Sequence, residues 1–475
     1  MSLINKIFIF SLFLFPSIIL AASGHGDAPH LDGSIENLNI FWVIPFAGIL
    51  LSIALFPLIA PEFWHHNFGK ISLFWALSLI IPFTLLQGFS ITIYELLHVG
   101  LLEYVPFIIL LLALFTISGG VSLTGSLVGT PIVNTIIILI GTVLASWMGT
   151  TGAAMLLIRP LIRANMHRKE KVHIIVFFIF LVANIGGSLT PLGDPPLFLG
   201  FLKGVDFFWT TSAMFLPMLF MVICLIIIFY FLDTYFYKKE DIKDQIDSEP
   251  QKLGLEGAFN LLLLLGVIGG VLLSGFWRPH ISFEVYHVHL ELQNLIRDLL
   301  LLGLTYASWV LTPKKIRQAN EYTWFPIIEV AKLFAGIFIT IIPAIAILKA
   351  GTKGALASIV GAVSNDGEPI NMMYFWLTGI LSSFLDNAPT YLVFFNTAGG
   401  NPDILMTDLY HTLLAISAGA VFMGANTYIG NAPNFMVKSI SESSGIAMPS
   451  FFGFIVKWSL PFLFPIFILV SIIFF

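Results

Sequence analysis

Asp386 stands at a break between two apolar segments, residues 370–382 and 390–398, and no Lys or Arg occurs within thirty residues on either side. An ionised carboxylate in such a setting is costly unless it is paired with a cation. A proton and Na⁺ would then compete for the same oxygens, which is the simplest device for proton/sodium exchange. The alternative role is a helix N-cap, in which the carboxylate accepts a backbone N–H.

Asp194 stands in another break, within the sequence NIGGSLTPLGDPPL at residues 184–197. Its neighbours Pro195 and Pro196 suit the first turn of a helix, so a capping role competes with ion binding here. Thr, Ser and Asn residues accompany both carboxylates and offer neutral oxygens, which hard cations prefer. The same small polar residues can instead pack membrane helices together. For the set, ion coordination is the favoured hypothesis.

The composition indicates what surrounds these residues. The chain has 475 residues, of which 57% are hydrophobic and 10% are charged, against about 25% charged in soluble domains. This excludes a cytosolic enzyme, a nucleic-acid-binding protein and a disulfide-stapled secreted domain, and the single cysteine, Cys224, has no partner for a disulfide. The apolar runs do not alternate with a period of two, so strands do not form the spans. We predict an all-α polytopic membrane protein.

Polarity divides the chain into five segments. Residues 1–23 are typical of a signal peptide, with an uncleaved first span as the alternative. Residues 24–39 are predicted to form a polar extracytoplasmic tail. Two membrane halves follow at residues 40–232 and 257–475, separated by a hydrophilic cytoplasmic linker at residues 233–256.

Positive charge sets the expected orientation. Basic residues concentrate in the loops 163–171, 233–256 and 312–323, and such loops face the cytoplasm. The expected location is therefore the inner membrane of a bacterium, which the chain crosses several times.

Two polar segments recur at one fixed distance. Residues 187–198 (GSLTPLGDPPLF) align without gaps on residues 424–435 (GANTYIGNAPNF), 237 residues later, and residues 146–152 (SWMGTTG) face residues 383–389 (SFLDNAP) at the same offset. In each half the earlier break separates two apolar arms that are too short to cross, and the later break interrupts a span. We predict inverted repeats with two re-entrant helical hairpins and two broken transmembrane helices, an architecture of secondary transporters.

The broken backbone itself favours a site in the membrane. Unpaired N–H and C=O groups are costly in hydrocarbon, so irregular backbone persists only where it is buried in protein or lines a polar cavity. Because the flanking loops carry opposite charge, the hairpin tips near Gly149 and Asn387 are expected to meet near the midplane from opposite faces of the membrane.

Residues 184–197 and the segment DNAPT at residues 386–390 resemble the signature breaks of the ion transporter superfamily. Within it they are closest to the NhaD-type sodium/proton antiporters and the related citrate-transporter group, over roughly residues 40–475. The resemblance implies a homodimer of inverted repeats, an elevator-like movement of a transport domain, and sodium held at the hairpin tips and helix breaks. The ion-binding and coupling residues that it indicates are Asp386, Asn387, Asp194, Ser146, Thr150, Thr151, Asn184, Thr190, Ser383, Thr390, Asn426, Thr427 and Asn431.

The chain departs from this pattern in the first hairpin. Many sodium/proton relatives carry an Asp-Asn pair there as well as in the second hairpin, whereas Gly149 and Thr150 occupy those positions here. The departure leaves the ion stoichiometry open and, to a lesser degree, the substrate.

Further ionisable residues in or near the predicted spans form a candidate proton pathway, namely Glu329, Lys332, Asp298 and Glu103. An intramembrane ionisable group is a functional hypothesis. Structural ion pairs are the alternative, because Glu329 and Lys332 are three residues apart and would share a helix face.

These features favour a sodium/proton antiporter that exchanges Na⁺ or Li⁺ for H⁺. A citrate or other organic-anion carrier of the same fold is the alternative, since helix N-termini with Ser, Thr and Asn residues suit an anion. An ion channel fits less well because there is no tandem filter sequence, and a membrane enzyme because there is no metal motif, nucleophile elbow or nucleotide loop. The expected partners are Na⁺, H⁺ and membrane lipid, with no cofactor and no nucleic acid.

Overall fold

The computed structural model describes residues 38–125, 127–240, 254–365 and 367–475. The predicted signal peptide, nearly all of the predicted tail and the central part of the predicted linker lie outside the described residues. Within these ranges the chain is predominantly helical.

The helices of the first half, as far as the structure describes it, are α1 (Ile44–Ile59), α2 (Pro61–Gln87), α3 (Phe89–Val99), α4 (Val105–Ser118), α5 (Pro131–Met148), α6 (Thr150–Ala164), α7 (Val172–Leu181), α8 (Pro195–Leu202) and α9 (Phe207–Lys239). Short 3₁₀ segments occur at Ile40–Val43 and Ile185–Ser188, and a π-helical turn at Gly100–Tyr104 joins α3 to α4.

The described helices of the second half are α10 (Phe259–Phe276), α11 (Leu292–Leu311), α12 (Lys314–Ala319), α13 (Phe325–Lys349), α14 (Ala357–Val363), α15 (Asn371–Phe384), α16 (Asn387–Thr397), α17 (Pro402–Met406), α18 (Tyr410–Met423), α19 (Ala432–Ser443), α20 (Phe451–Phe454) and α21 (Phe464–Phe474). Short 3₁₀ segments occur at Gly351–Lys353 and Gly424–Asn426, and a π-helical stretch, Ile455–Leu463, joins α20 to α21.

Within the described residues, eight helical segments are long and apolar enough to cross a membrane. They are Ile40–Ile59, Pro61–Gln87, Phe89–Ser118, Pro131–Met148, Phe207–Lys239, Phe259–Phe276, Phe325–Lys349 and Phe451–Phe474. The prediction of an all-α polytopic membrane protein is therefore confirmed. One detail differs: α5 has 18 residues and is one of the eight, whereas the sequence analysis expected an arm too short to cross.

Three short antiparallel ribbons were not predicted, because two to four residues leave no periodic signal. They pair β1 (Ser122–Thr124) with β2 (Gly254–Glu256), β3 (Ser282–Val285) with β4 (Val288–Glu291), and β5 (Ser364–Asn365) with β6 (Glu368–Pro369). The first ribbon places Ser122 opposite Glu256, and it holds the loop after α4 beside the chain that enters α10.

Helix interruptions occur at all four predicted breaks. The first hairpin consists of α5 and α6, which pack against each other and are separated by Gly149, whose φ of 81° lies in the left-handed region that favours glycine. The second hairpin consists of α15 and α16, separated at Leu385 and Asp386. The first broken helix consists of α7 and α8, and the second of α18 and α19.

The broken helices lie at the centre of the molecule. Residues 174–183 of the first are buried, as are residues 412–423 of the second. Both segments are predominantly apolar, as expected for helices enclosed by protein. In contrast, α2 exposes Leu73 and Phe74 on the periphery. The irregular backbone is thus held inside a helical shell.

Candidate functional site

Asp194 lies where both hairpins and both broken helices meet. Its side chain is only 2% exposed, and its oxygens accept three side-chain hydrogen bonds. Thr150 Oγ1 and Asn431 Nδ2 donate to Oδ1 at 3.2 and 2.8 Å, and Asn387 Nδ2 donates to Oδ2 at 2.6 Å. The structure therefore brings four of the predicted site residues together around one carboxylate.

These four residues form two pairs that are 237 positions apart in the sequence. Asp194 corresponds to Asn431, and Thr150 corresponds to Asn387. The corresponding residues Asp194 and Asn431 are themselves hydrogen-bonded. The site is thus built from equivalent positions of the two halves, but only one of the four carries a charge.

Each of the four residues also marks the start of a helix. Thr150 and Asn387 are the first residues of α6 and α16, and Asp194 and Asn431 precede α8 and α19. A helix N-terminus carries partial positive charge. The arrangement therefore stabilises an anionic group at its centre without a basic side chain.

Asp194 occupies the N-cap position of α8, but its side chain does not cap the helix. Its side chain makes no capping hydrogen bond to α8, because Pro195 and Pro196 have no N–H to donate in the first two positions. The next available N–H, that of Leu197, bonds to the backbone oxygen of Asp194 at 3.1 Å. The prolines that suggested a cap instead leave both carboxylate oxygens available to other helices.

Asp386 does act as a helix cap. Its side chain is half-buried, and the backbone N–H of Ala388 donates to its Oδ1 at 3.1 Å. Thr390 Oγ1 donates to the backbone oxygen of Asp386 at 2.9 Å. This carboxylate therefore stabilises the start of α16 at the tip of the second hairpin.

Predicted hydroxyl ligands connect the first hairpin to the first broken helix. Ser146 Oγ donates to the backbone oxygen of Gly186, and Thr190 Oγ1 donates to the backbone oxygen of Ser146. The Thr150 N–H donates to the backbone oxygen of Gly193 at 2.9 Å. These contacts hold the hairpin tip against the break.

The second half repeats the hydroxyl contacts at equivalent positions. Ser383 Oγ donates to the backbone oxygen of Met423 at 2.9 Å, and Thr427 Oγ1 donates to the backbone oxygen of Ser383. Asn426 Nδ2 adds a bond to Ser383 Oγ at 2.9 Å. In both halves, then, Ser and Thr side chains bind backbone carbonyls, which is the packing role that was the alternative to ion coordination.

Two buried amide oxygens near the breaks accept no hydrogen bond from the described residues. They are Oδ1 of Asn387 and Oδ1 of Asn184. Buried acceptors are normally paired, and a neutral amide oxygen is also a ligand for hard cations. Asn387 is notable because its Nδ2 contacts Asp194 while its oxygen has no donor.

Asn434 was missed in the sequence analysis although it joins the two broken helices. Its Nδ2 donates to the backbone oxygens of Gly424 and Thr427 at 2.8 Å each, and its Oδ1 accepts from Asn184 Nδ2 at 2.7 Å. In the alignment of the two halves, Asn434 corresponds to Leu197, so the repeat did not indicate Asn434 as a site residue. The available signal was an Asn within the buried start of α19.

A cavity of about 100 Å³ adjoins Asp194 on the side of the first hairpin. The first hairpin tip and the first broken helix supply Thr150, Thr151, Gly193 and Asp194, and α4 and α13 supply apolar side chains. Among the described lining residues, Asp194 is the only charged one. The cavity thus presents one carboxylate and two threonines in an apolar setting.

The candidate proton-pathway residues do not converge on this cavity. Asp298 pairs with Arg297 at 2.8 Å, and Glu103 pairs with Lys203. The suggested Glu329–Lys332 pair is not formed: the Glu329 side chain lies beside Trp64 and His65, and the Lys332 ammonium lies 5.5 Å from the centroid of the Phe68 ring.

The geometry can be set beside known proteins. Residues 35–475 match the model of a family described as "Putative citrate transport". The comparison with curated proteins found no match. The match covers nearly the whole chain and agrees with the multiple membrane-spanning helices, so this multi-pass membrane protein belongs to that transporter family.

Proposed function

We propose that the protein is a secondary transporter that exchanges Na⁺ or Li⁺ for H⁺, with Asp194 as the exchange site. The observation that carries the proposal is a buried carboxylate bound by three neutral donors, with no basic partner among the described residues. A buried charge without a counter-ion favours whatever cation can neutralise it. A proton and a sodium ion both can.

The exchange follows from the chemistry of the side chains. In the protonated form Asp194 is neutral and its site requires no metal. When Na⁺ displaces the proton, oxygen ligands are available from Asp194 itself, from the Thr150 hydroxyl and from Oδ1 of Asn387. The two forms exclude each other, and that exclusion couples the two ions.

The same proposal includes alternating access by inverted repeats. Its support is the pair of matching hydrogen bonds in the two halves, Ser146 with Thr190 and Ser383 with Thr427, together with the opposite charge of the flanking loops. In this account the hairpins enter from opposite faces of a bacterial inner membrane, and the transport domain moves like an elevator within a homodimer.

A cation-coupled carrier of citrate is the second candidate. The family description and the four helix N-termini at the site favour it. The cavity beside Asp194 is less favourable, since its described lining contains no Lys, Arg or His to neutralise a tricarboxylate. If citrate is the substrate, Asp194 would bind the coupling cation instead of an exchanged one.

Proteoliposomes with an internal pH indicator distinguish the two functions. With a pH gradient imposed, we expect Na⁺ or Li⁺, but not K⁺, to dissipate it in the absence of citrate. Asp194→Asn protein at equal reconstituted amount is the matched control and should be inactive. Labelled citrate uptake that depends on Na⁺, without exchange when citrate is absent, would replace the antiporter with the organic-anion carrier.

A further inference from the structure

A groove between α2 and α13 takes no part in the site around Asp194. Its volume is about 490 Å³, and it is open to the surroundings along the outside of the two helices. Lys70, Ser72 and Leu73 line it from α2, and Lys332, Gly336 and Ile339 line it from α13. The groove therefore combines basic and apolar side chains on a membrane-facing surface.

Small residues bring the two helices together at the base of the groove. Ser72 Oγ donates to the backbone oxygen of Lys332 at 2.6 Å, and a Cβ atom at Gly336 would collide with that same hydroxyl. The contact fixes the backbone of Lys332 beside α2, so its side chain starts from the wall of the groove.

Lys332 has no anionic partner in the described part of the chain. It is exposed, it forms no ion pair with Glu329 on its own helix, and its ammonium lies over the face of the Phe68 ring, 5.5 Å from the centroid. Lys332 is the eighth residue of α13, which places it about 10 Å beyond the start of the helix. A cation at that depth on a membrane helix is costly unless an anion or the interface reaches it.

The second lysine is equally available. Lys70 is exposed, and its ammonium donates a 3.1 Å hydrogen bond to the amide oxygen of Asn67. The segment that precedes α13, residues 312–323 including α12, carries Lys314, Lys315 and Arg317, so the positive-inside rule puts this end of the groove in the cytoplasmic leaflet. That leaflet carries anionic lipid headgroups.

The rest of the groove suits a hydrocarbon chain. Leu73 is 57% exposed, and Ile339 continues the apolar wall about two turns beyond Lys332. We propose that the groove binds an anionic phospholipid, with its phosphate at Lys332 and Lys70 and one acyl chain against Leu73 and Ile339. This inference does not depend on which ion or anion is transported.

Native mass spectrometry of the purified protein tests the proposal with defined lipids. In mixed micelles containing phosphatidylglycerol or phosphatidylcholine, the wild-type protein should retain phosphatidylglycerol preferentially. The double variant Lys70→Gln with Lys332→Gln should lose that preference, by about fivefold for each lysine removed. The matched control is Lys315→Gln, a lysine on the same side that lies outside the groove and pairs with Glu256 at 3.4 Å; it should retain the lipid.

Two further measurements keep the test decisive. Lys332→Arg preserves the positive charge, so this variant should retain phosphatidylglycerol as the wild-type protein does. That result separates loss of a lipid contact from loss of folding. Gel filtration of every variant confirms that the protein is intact. Equal retention of the two lipids by wild type, or undiminished phosphatidylglycerol in the double variant, overturns the proposal. A second copy on this face would also overturn it: Leu73→Cys in a Cys224→Ser background should form no disulfide-linked dimer on oxidation in membranes, and an efficient cross-link would mean that protein covers the groove.

Discussion

Asp194 and Asp386 differ in how the protein uses their oxygens, although both stand at a break before a helix. Asp386 directs an oxygen to the N–H of Ala388 in its own helix. The Asp194 side chain makes no bond to its own helix and instead accepts from Thr150, Asn387 and Asn431. One carboxylate completes a helix; the other connects both halves of the protein.

The difference shows that the residues after a carboxylate decide what it can do. Ala388 offers an N–H two residues after Asp386, whereas Pro195 and Pro196 offer none after Asp194. A carboxylate without a local donor must obtain its hydrogen bonds from elsewhere, and here it obtains them from three other helix starts. The same prolines therefore start α8 and leave the Asp194 carboxylate oxygens available to donors from other helices.

The largest effect is expected from Asp194→Asn. It removes the charge but keeps the shape, and the Asn387 amide can turn to present its unpaired Oδ1 to the new NH₂ group. Folding should be preserved while Na⁺-driven proton movement is lost, because the amide has no proton to exchange for Na⁺. Exchange measured in everted vesicles at matched membrane abundance checks this, and wild-type exchange by the variant would remove Asp194 from the mechanism.

The two neutral partners should not be equivalent. Asn387 donates to Asp194 at 2.6 Å and has a free oxygen, whereas Thr150 donates at 3.2 Å. We expect Asn387→Ala to raise the Na⁺ concentration for half-maximal exchange about tenfold, and Thr150→Ala to raise it less. The sodium dependence of exchange gives both values, and the reverse order would contradict the assigned importance of the amide.

In contrast to Asp194, Asp386 should contribute more to stability than to exchange. Asp386→Asn should keep the cap, since Asn is also a good N-cap, while Asp386→Ala should lower the free energy of unfolding by about 1 kcal/mol. Exchange by the Asn variant should fall by a few-fold at most. Thermal unfolding and exchange measured on the two variants together check this. If Asp386→Asn abolishes exchange as completely as Asp194→Asn does, the two carboxylates act as one site.

The smallest effects are expected from replacing the two serines that make equivalent contacts in the two halves. Ser146→Ala and Ser383→Ala each remove a hydroxyl that binds a backbone carbonyl, Gly186 in one half and Met423 in the other. Each should cost about 1 kcal/mol of stability and leave the preference for Na⁺ over K⁺ unchanged. Thermal unfolding and exchange with each ion are the measurements. A change in ion selectivity would indicate that these hydroxyls contact the transported ion.

Much of this arrangement could be predicted from the sequence. Composition and run length predicted a helical membrane protein, and the interruptions at Gly149, Asp386 and the two later breaks were located because Gly, Pro, Asp and Asn stand out in apolar runs. What the sequence could not predict is which side chains meet across breaks that lie up to 250 residues apart, such as Asn184 with Asn434. The isolation of Asp386 from basic residues is visible in the sequence, whereas the use of each carboxylate oxygen is not.

Proton release on sodium binding tests the central claim most directly. In weakly buffered solution with a pH indicator, purified wild-type protein should acidify the medium when NaCl is added, and much less with KCl, because Na⁺ displaces the proton of Asp194. The apparent Na⁺ affinity should weaken as the pH falls, since protons compete for the same oxygens. Asp194→Asn protein, folded to the same extent, should release no protons. Sodium-dependent proton release that persists in this variant, or that appears only when citrate is added, would contradict exchange at Asp194.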